Sequence, residues 1–63
     1  MPFVQIEIRE GRTLDQKRAM VKEVSEALKN TIDCQPQSIK IVIREMKREN
    51  FATNDTLDCD VEL

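Results

Sequence analysis

Alternation and helical periodicity divide the chain into three long elements. In the stretch Phe3 to Arg9, Val4, Ile6 and Ile8 point one way and Gln5, Glu7 and Arg9 the other. That period of two is the signature of a half-buried strand. Glu10-Gly11-Arg12 follows, and Gly11, the only glycine, predicts a turn conformation that other residues resist. Thr13-Leu14-Asp15-Gln16 reads as a capping box, Thr13 as N-cap and Gln16 at N3, with Asp15 at the positive end of the helix dipole. Met20, Val21, Val24, Ala27, Leu28, Thr31 and Ile32 then recur at three- and four-residue spacing. They predict an amphipathic helix from about residue 14 to about residue 32. Pro36 disfavours helical geometry at the residue before it, so Asp33-Cys34-Gln35-Pro36 ends the helix.

Residues 38–46 alternate again, with Ile39, Ile41 and Ile43 on one face and Lys40, Val42 and Arg44 on the other. Strand, helix and strand make a βαβ unit with parallel strands and a right-handed connection. The helix stripe would cover the isoleucine and valine face, leaving a mixed face suited to a subunit interface or a site wall. Lys47-Arg48-Glu49-Asn50 is a charged turn, Phe51 stands alone after it, and Ala52-Thr53-Asn54-Asp55 is turn-like. Leu57, Cys59, Val61 and Leu63 alternate weakly, predicting a short C-terminal hairpin or arm. The fold class is α+β, in one domain covering residues 1–63.

Composition narrows the function. At 63 residues the chain is short, and such chains usually need disulfides, a metal or partner subunits for stability. Cys34 and Cys59 are too few for a disulfide scaffold, and with no histidine and no C-x-x-C there is no recognisable zinc site, so the metal expectation is none. Oligomerisation is the remaining route. A net charge of −2 argues against non-specific nucleic-acid binding. No apolar run approaches a membrane span, and Glu7, Arg9 and Glu10 interrupt any signal-peptide core. The expected setting is the reducing cytoplasm, with both thiols free and structural.

The candidate chemistry lies at Met1-Pro2. Initiator methionine is usually removed before a small residue, which would leave a prolyl secondary amine at the head of the first strand. An unperturbed α-amino group titrates near ~7.7–8.0, within reach of a general base at neutral pH. With Met1 retained, the Pro2 nitrogen is a tertiary amide and no base.

These pieces together resemble the 4-oxalocrotonate tautomerase family, a short-chain branch of the tautomerase superfamily. The resemblance rests on Met1-Pro2 opening a strand, Glu10-Gly11-Arg12 closing it, the helix text Asp15-Gln16-Lys17 and Val24-Ser25-Glu26-Ala27, Ile43-Arg44-Glu45-Met46, and Phe51 five residues later. It implies a βαβ subunit assembled as a homo-oligomer, commonly a hexamer. It also implies proton transfer without metal or organic cofactor on a 2-hydroxydienoate such as 2-hydroxymuconate, or on a small 2-oxo acid. By this resemblance Pro2 is the base and Arg12 binds the distal carboxylate. Lys40 stands where a second arginine holds the 1-carboxylate and 2-oxygen, and Phe51 is an apolar wall. Cations placed where dienolate charge develops stabilise the transition state, and with an apolar wall they hold the proline amine below its ordinary value, as a neutral base.

Three departures open alternatives. Lys40 keeps the charge of arginine and loses its planar fork. Ala52-Thr53-Asn54-Asp55 replaces a glycine-rich turn, and Asp55 would oppose a dianion if it pointed inward. Arg9 occupies a position often apolar in tautomerases and cationic in some hydratase and dehalogenase branches, which also use a glutamate near Thr53. A hydratase or dehalogenase acting on 3-substituted acrylates, and a non-catalytic oligomerising module, are therefore the rival readings. Bland roles compete residue by residue: Arg9 paired with Glu7 or Glu45, Arg12 a solvated turn cation or paired with Glu10, Lys40 an exposed strand lysine. Lys40, Arg44, Lys47 and Arg48 would form a solvated face or interface rim, and Met20 and Met46 would be core.

Overall fold

A computed structural model describes residues 1–61. Strand β1 runs Phe3–Arg9, helix α1 Leu14–Ile32 and strand β2 Lys40–Met46. β1 and β2 pair in parallel, with Val4 opposite Ile41, Ile6 opposite Ile43 and Arg9 opposite Met46. Registered neighbours in a parallel pair share a face, so Val4, Ile6, Ile8, Ile41, Ile43 and Glu45 lie together. An ion pair from Lys17 of α1 to Glu45 at 2.6 Å fastens the helix on that side. Phe3, Gln5, Glu7 and Arg9 share the open face with Lys40, Val42, Arg44 and Met46.

The local signals for α1 act as its sequence predicts. The Thr13 hydroxyl accepts from the Gln16 backbone N–H at 3.1 Å, and the Gln16 side chain accepts from the Thr13 N–H at 2.9 Å. The two bonds satisfy amide donors that a helix start leaves unpaired. Asp33 closes the helix in the left-handed region at φ 52°. The second strand starts two residues later than alternation alone suggests. Pro36–Ser38 forms a 3-10 turn in which the Ser38 N–H and hydroxyl both donate to the Gln35 carbonyl, at 3.0 and 2.8 Å.

A second 3-10 turn covers Arg48–Asn50, and a third covers Asp58–Asp60. Between them β3 (Ala52–Thr53) and β4 (Thr56–Leu57) form a short antiparallel hairpin. It begins earlier than the expected arm, because Asn54 takes the left-handed φ of 58° that lets the chain reverse there. Leu63, which the weak alternation included, lies outside the described residues.

Burial departs most from the sequence reading. No described residue is buried, so Met20 and Met46 are half-buried rather than core. Ala27, Thr31 and Ile32, counted in the apolar helix stripe, are exposed. Two long strands and one helix give two layers without enough lateral cover to close an interior. The radius of gyration is 15.1 Å, against about 11 Å for a compact chain of this length. The accessible surface is 5231 Å², against about 4,200 Å² for a folded monomer of this mass.

Candidate functional site

The candidate residues separate to the two ends of β1. Pro2 is half-buried at its head, where its carbonyl accepts from the Lys40 N–H at 3.1 Å. This bond places Lys40 at the same end, and its ammonium donates to the Gln37 carbonyl at 3.3 Å. Met1 is 86% exposed, and its carbonyl carbon makes the Pro2 nitrogen an amide. The other end carries Arg9, Arg12 and Phe51. The seven residues of β1, Phe3–Arg9, separate Pro2 from the turn that carries Arg12, a span of about 23 Å at the usual rise. One chain therefore does not bring Pro2 to Arg12.

The far end forms a built cleft of about 390 Å³, lined by Glu7, Ile8, Arg9, Arg12, Met46 and Phe51. The Arg9 guanidinium carbon lies 5.0 Å from the centroid of the Phe51 ring, a cation–π contact. Its Nε pairs with the Asp58 carboxylate at 3.0 Å. This corrects the expected pairing with Glu7 or Glu45. Glu45 registers beside Ile8 on the helix side of the sheet, opposite to Arg9, and is held there by Lys17. Asp58 is also approached by Arg48 Nε at 3.5 Å, while an Arg48 terminal amino group donates to the Asp58 carbonyl at 2.8 Å. Arg48 thus anchors a turn instead of joining a solvated basic face. The Asp58 N–H donates to the Phe51 carbonyl at 2.7 Å, closing the segment into a loop behind the ring.

Arg12 is exposed and makes no ion pair among the described residues, so of its competing roles the bridge to Glu10 is absent there. Gly11 precedes it at φ 118°, a conformation that L side chains rarely adopt. A side chain at Gly11 would meet nothing within 4 Å. Backbone conformation, not crowding, calls for glycine at the point that turns Arg12 toward the cleft. Arg12 and Ile8 also line a smaller cleft of about 250 Å³ with Gln16, Lys17 and Met20, on the helix side. Asp55 lines neither cleft: it accepts from the Thr56 hydroxyl at 3.1 Å inside its own turn.

Asp58 escaped the sequence reading. It sits among Asp55, Asp60 and Glu62, and local pattern does not say which acid turns inward. The hairpin placed at residues 52–57 is the signal that would have found it, since the reversal carries Asp58 back to Phe51.

A prolyl residue heading one of two parallel strands, with an aromatic-walled cleft of two cations and one carboxylate at the far end, marks a small βαβ subunit. The sequence profile of the family described as tautomerase enzyme matches residues 2–57, and the chain belongs to that family. It is 37% identical over 62 residues to a 2-hydroxymuconate tautomerase of Bacillus subtilis, covering 98% of this chain and 100% of that one. It is 36% identical over 61 residues to a probable tautomerase of Listeria monocytogenes, covering 97% of this chain and 100% of the relative. A crystal structure of a homologue of 4-oxalocrotonate tautomerase superposes with a TM-score of 0.92 at 36% identity, covering 97% of this chain and 100% of that one. The fold and the tautomerase class expected from the sequence are thereby established.

Proposed function

We propose that this tautomerase ketonises a 2-hydroxydienoate of the 2-hydroxymuconate type, with the Pro2 amine as base once Met1 is removed. The single observation that carries this reading is the cleft in which Arg12, Arg9 and Phe51 meet. Its two cations, set against the one carboxylate of Glu7, suit a carboxylate, and its aromatic wall suits a flat conjugated chain. The neutral Pro2 amine takes the proton of the 2-hydroxyl, and electron density moves along the diene. The protonated amine returns the proton to carbon at the conjugated position, giving the 2-oxo-enoate. Arg12 holds the distal carboxylate and draws density toward it, while Lys40 holds the 1-carboxylate end. Phe51 keeps the wall apolar. The exposure of Met1 supports access for an aminopeptidase.

The site is completed by other copies of the chain. The span of β1 between Pro2 and Arg12 supports this, and so do the missing interior and the large surface. We favour a homo-hexamer in the cytoplasm. No helix among the described residues is long and apolar enough to cross a membrane.

The test pairs intact mass with an ultraviolet assay of 2-hydroxymuconate ketonisation on the same sample. Processed protein is expected to be active. Pro2→Ala is expected to lose about 10²-fold or more, the scale of general acid–base catalysis. Equal rates overturn the base assignment. Arg9 beside Arg12 favours a second reading, hydration or dehalogenation of a 3-substituted acrylate; halide release from 3-chloroacrylate at background level excludes it for that substrate.

A further inference from the structure

We propose that Asp58 is a positioning residue that fixes Arg9 as the second cation of a carboxylate clamp, and so sets selectivity for a substrate bearing a distal carboxylate. The inference rests on the tautomerase reading above. Arg9 stands in the cleft with Arg12, and Asp58 stands behind it outside the lining. The ion pair reaches Arg9 through Nε at 3.0 Å, and the ring of Phe51 lies 5.0 Å from the guanidinium carbon. Those two contacts narrow the positions open to a guanidinium on a long side chain. Its terminal amino groups make no hydrogen bond among the described residues. The end-on fork that binds a carboxylate in two bonds is therefore free to act with Arg12.

Asp58 is well placed to hold that position without drifting. Its side chain is 15% exposed, against 58% for Arg9. Its own backbone is fixed from both sides, by its N–H to the Phe51 carbonyl and by Arg48 on its carbonyl. The same segment carries Phe51, so the aromatic wall and the orienting carboxylate are set by one loop. A carboxylate bound by two guanidinium groups then lies across the ring, with the conjugated chain running out of the cleft toward a proline of another copy.

Steady-state kinetics on two substrates tests this: 2-hydroxymuconate, with a distal carboxylate, and 2-hydroxypenta-2,4-dienoate, without one. Asp58→Asn is expected to raise KM for 2-hydroxymuconate about three- to tenfold more than for the monocarboxylate, and Arg9→Met about ten- to a hundredfold more. The Asp58→Asn, Arg9→Met double variant is expected to match Arg9→Met, since Asp58 acts through Arg9. A purely structural Asp58 would raise both KM values alike, or lower kcat on both, and that overturns the proposal. Calorimetric binding of cis,cis-muconate against sorbate separates the clamp from the chemistry. Discrimination that Arg9→Met abolishes, in a protein inactive on both dienols, supports the clamp and rejects the reaction. An active enzyme whose Asp58→Asn variant keeps the wild-type KM ratio rejects the clamp and keeps the reaction. Failure to discriminate muconate from sorbate rejects the clamp in either case.

Discussion

The two ends of β1 differ in how much of a site each holds. The Arg12 end is organised within one chain: a glycine turn aims one cation, an ion pair and an aromatic ring hold another, and a loop closes behind them. The Pro2 end has a nitrogen, a neighbouring lysine resting on a backbone carbonyl, and open surface. On the proposed mechanism the binding half is preorganised in the subunit, while the reacting half would gain its surroundings only when another copy docks. Preorganisation within the chain lowers the ordering cost of binding a charged substrate. A base supplied by a different copy, as proposed, would make assembly a condition of activity.

The largest effect comes from separating the two halves genetically. Pro2→Ala keeps the clamp and Arg12→Ala keeps the base, and each alone is expected to lose about 10²-fold or more in kcat/KM. Unfolding and refolding the two together should restore activity to about a quarter of the wild-type sites, by random assortment of chains in a symmetric assembly. Sedimentation of the same mixture should show oligomers and no folded monomer at micromolar concentration. A mixture no more active than its parents would mean that Pro2 and Arg12 do not meet across subunits.

A smaller effect sharpens the weak end. Lys40 gives the Pro2 end a point charge where a planar fork would bind a carboxylate in two bonds. Lys40→Arg is expected to lower KM for 2-hydroxymuconate about three- to tenfold, at nearly unchanged stability because the residue is exposed on the strand. A KM that stays the same or rises would remove Lys40 from the substrate-binding set.

The comparison also explains what could be read in the sequence. β1, α1 and the parallel pair were legible because each carries its own periodicity and cap: FVQIEIR, Thr13 with Gln16, and Ile41 with Ile43. Gly11 was legible because a lone glycine between strand and helix has few other uses. The partners of Arg9 were not legible. Its choice of Asp58 over Glu7 and Glu45 depends on strand register and on where a short hairpin reverses, and neither is encoded in nearest neighbours. Burial is not legible in the sequence for a related reason. Met20, Met46 and Ile32 have core-like side chains, yet burial depends on how many layers surround them, and two layers leave them partly or wholly open.

The smallest expected effect is a control that belongs to neither end. Glu26 on α1 receives a 2.9 Å hydrogen bond from Lys29. That bond, then the Lys29 charge, holds its carboxyl below the usual carboxylate range. A depressed folded-state pKa means the contribution is present above the unfolded value of about 4.3 and is lost as pH falls through the folded one. Both side chains reach solvent, so salt screens the pair. Glu26→Gln should therefore leave both KM values at wild type and shift the thermal midpoint slightly at neutral pH and low salt. That shift should vanish below the folded-state pKa, and in high salt. A change in the dicarboxylate-to-monocarboxylate KM ratio here, of the size expected for Asp58→Asn, would mean the ratio responds to helix charge in general. The contrast between an organised Arg12 end and an open Pro2 end would then lose its local meaning.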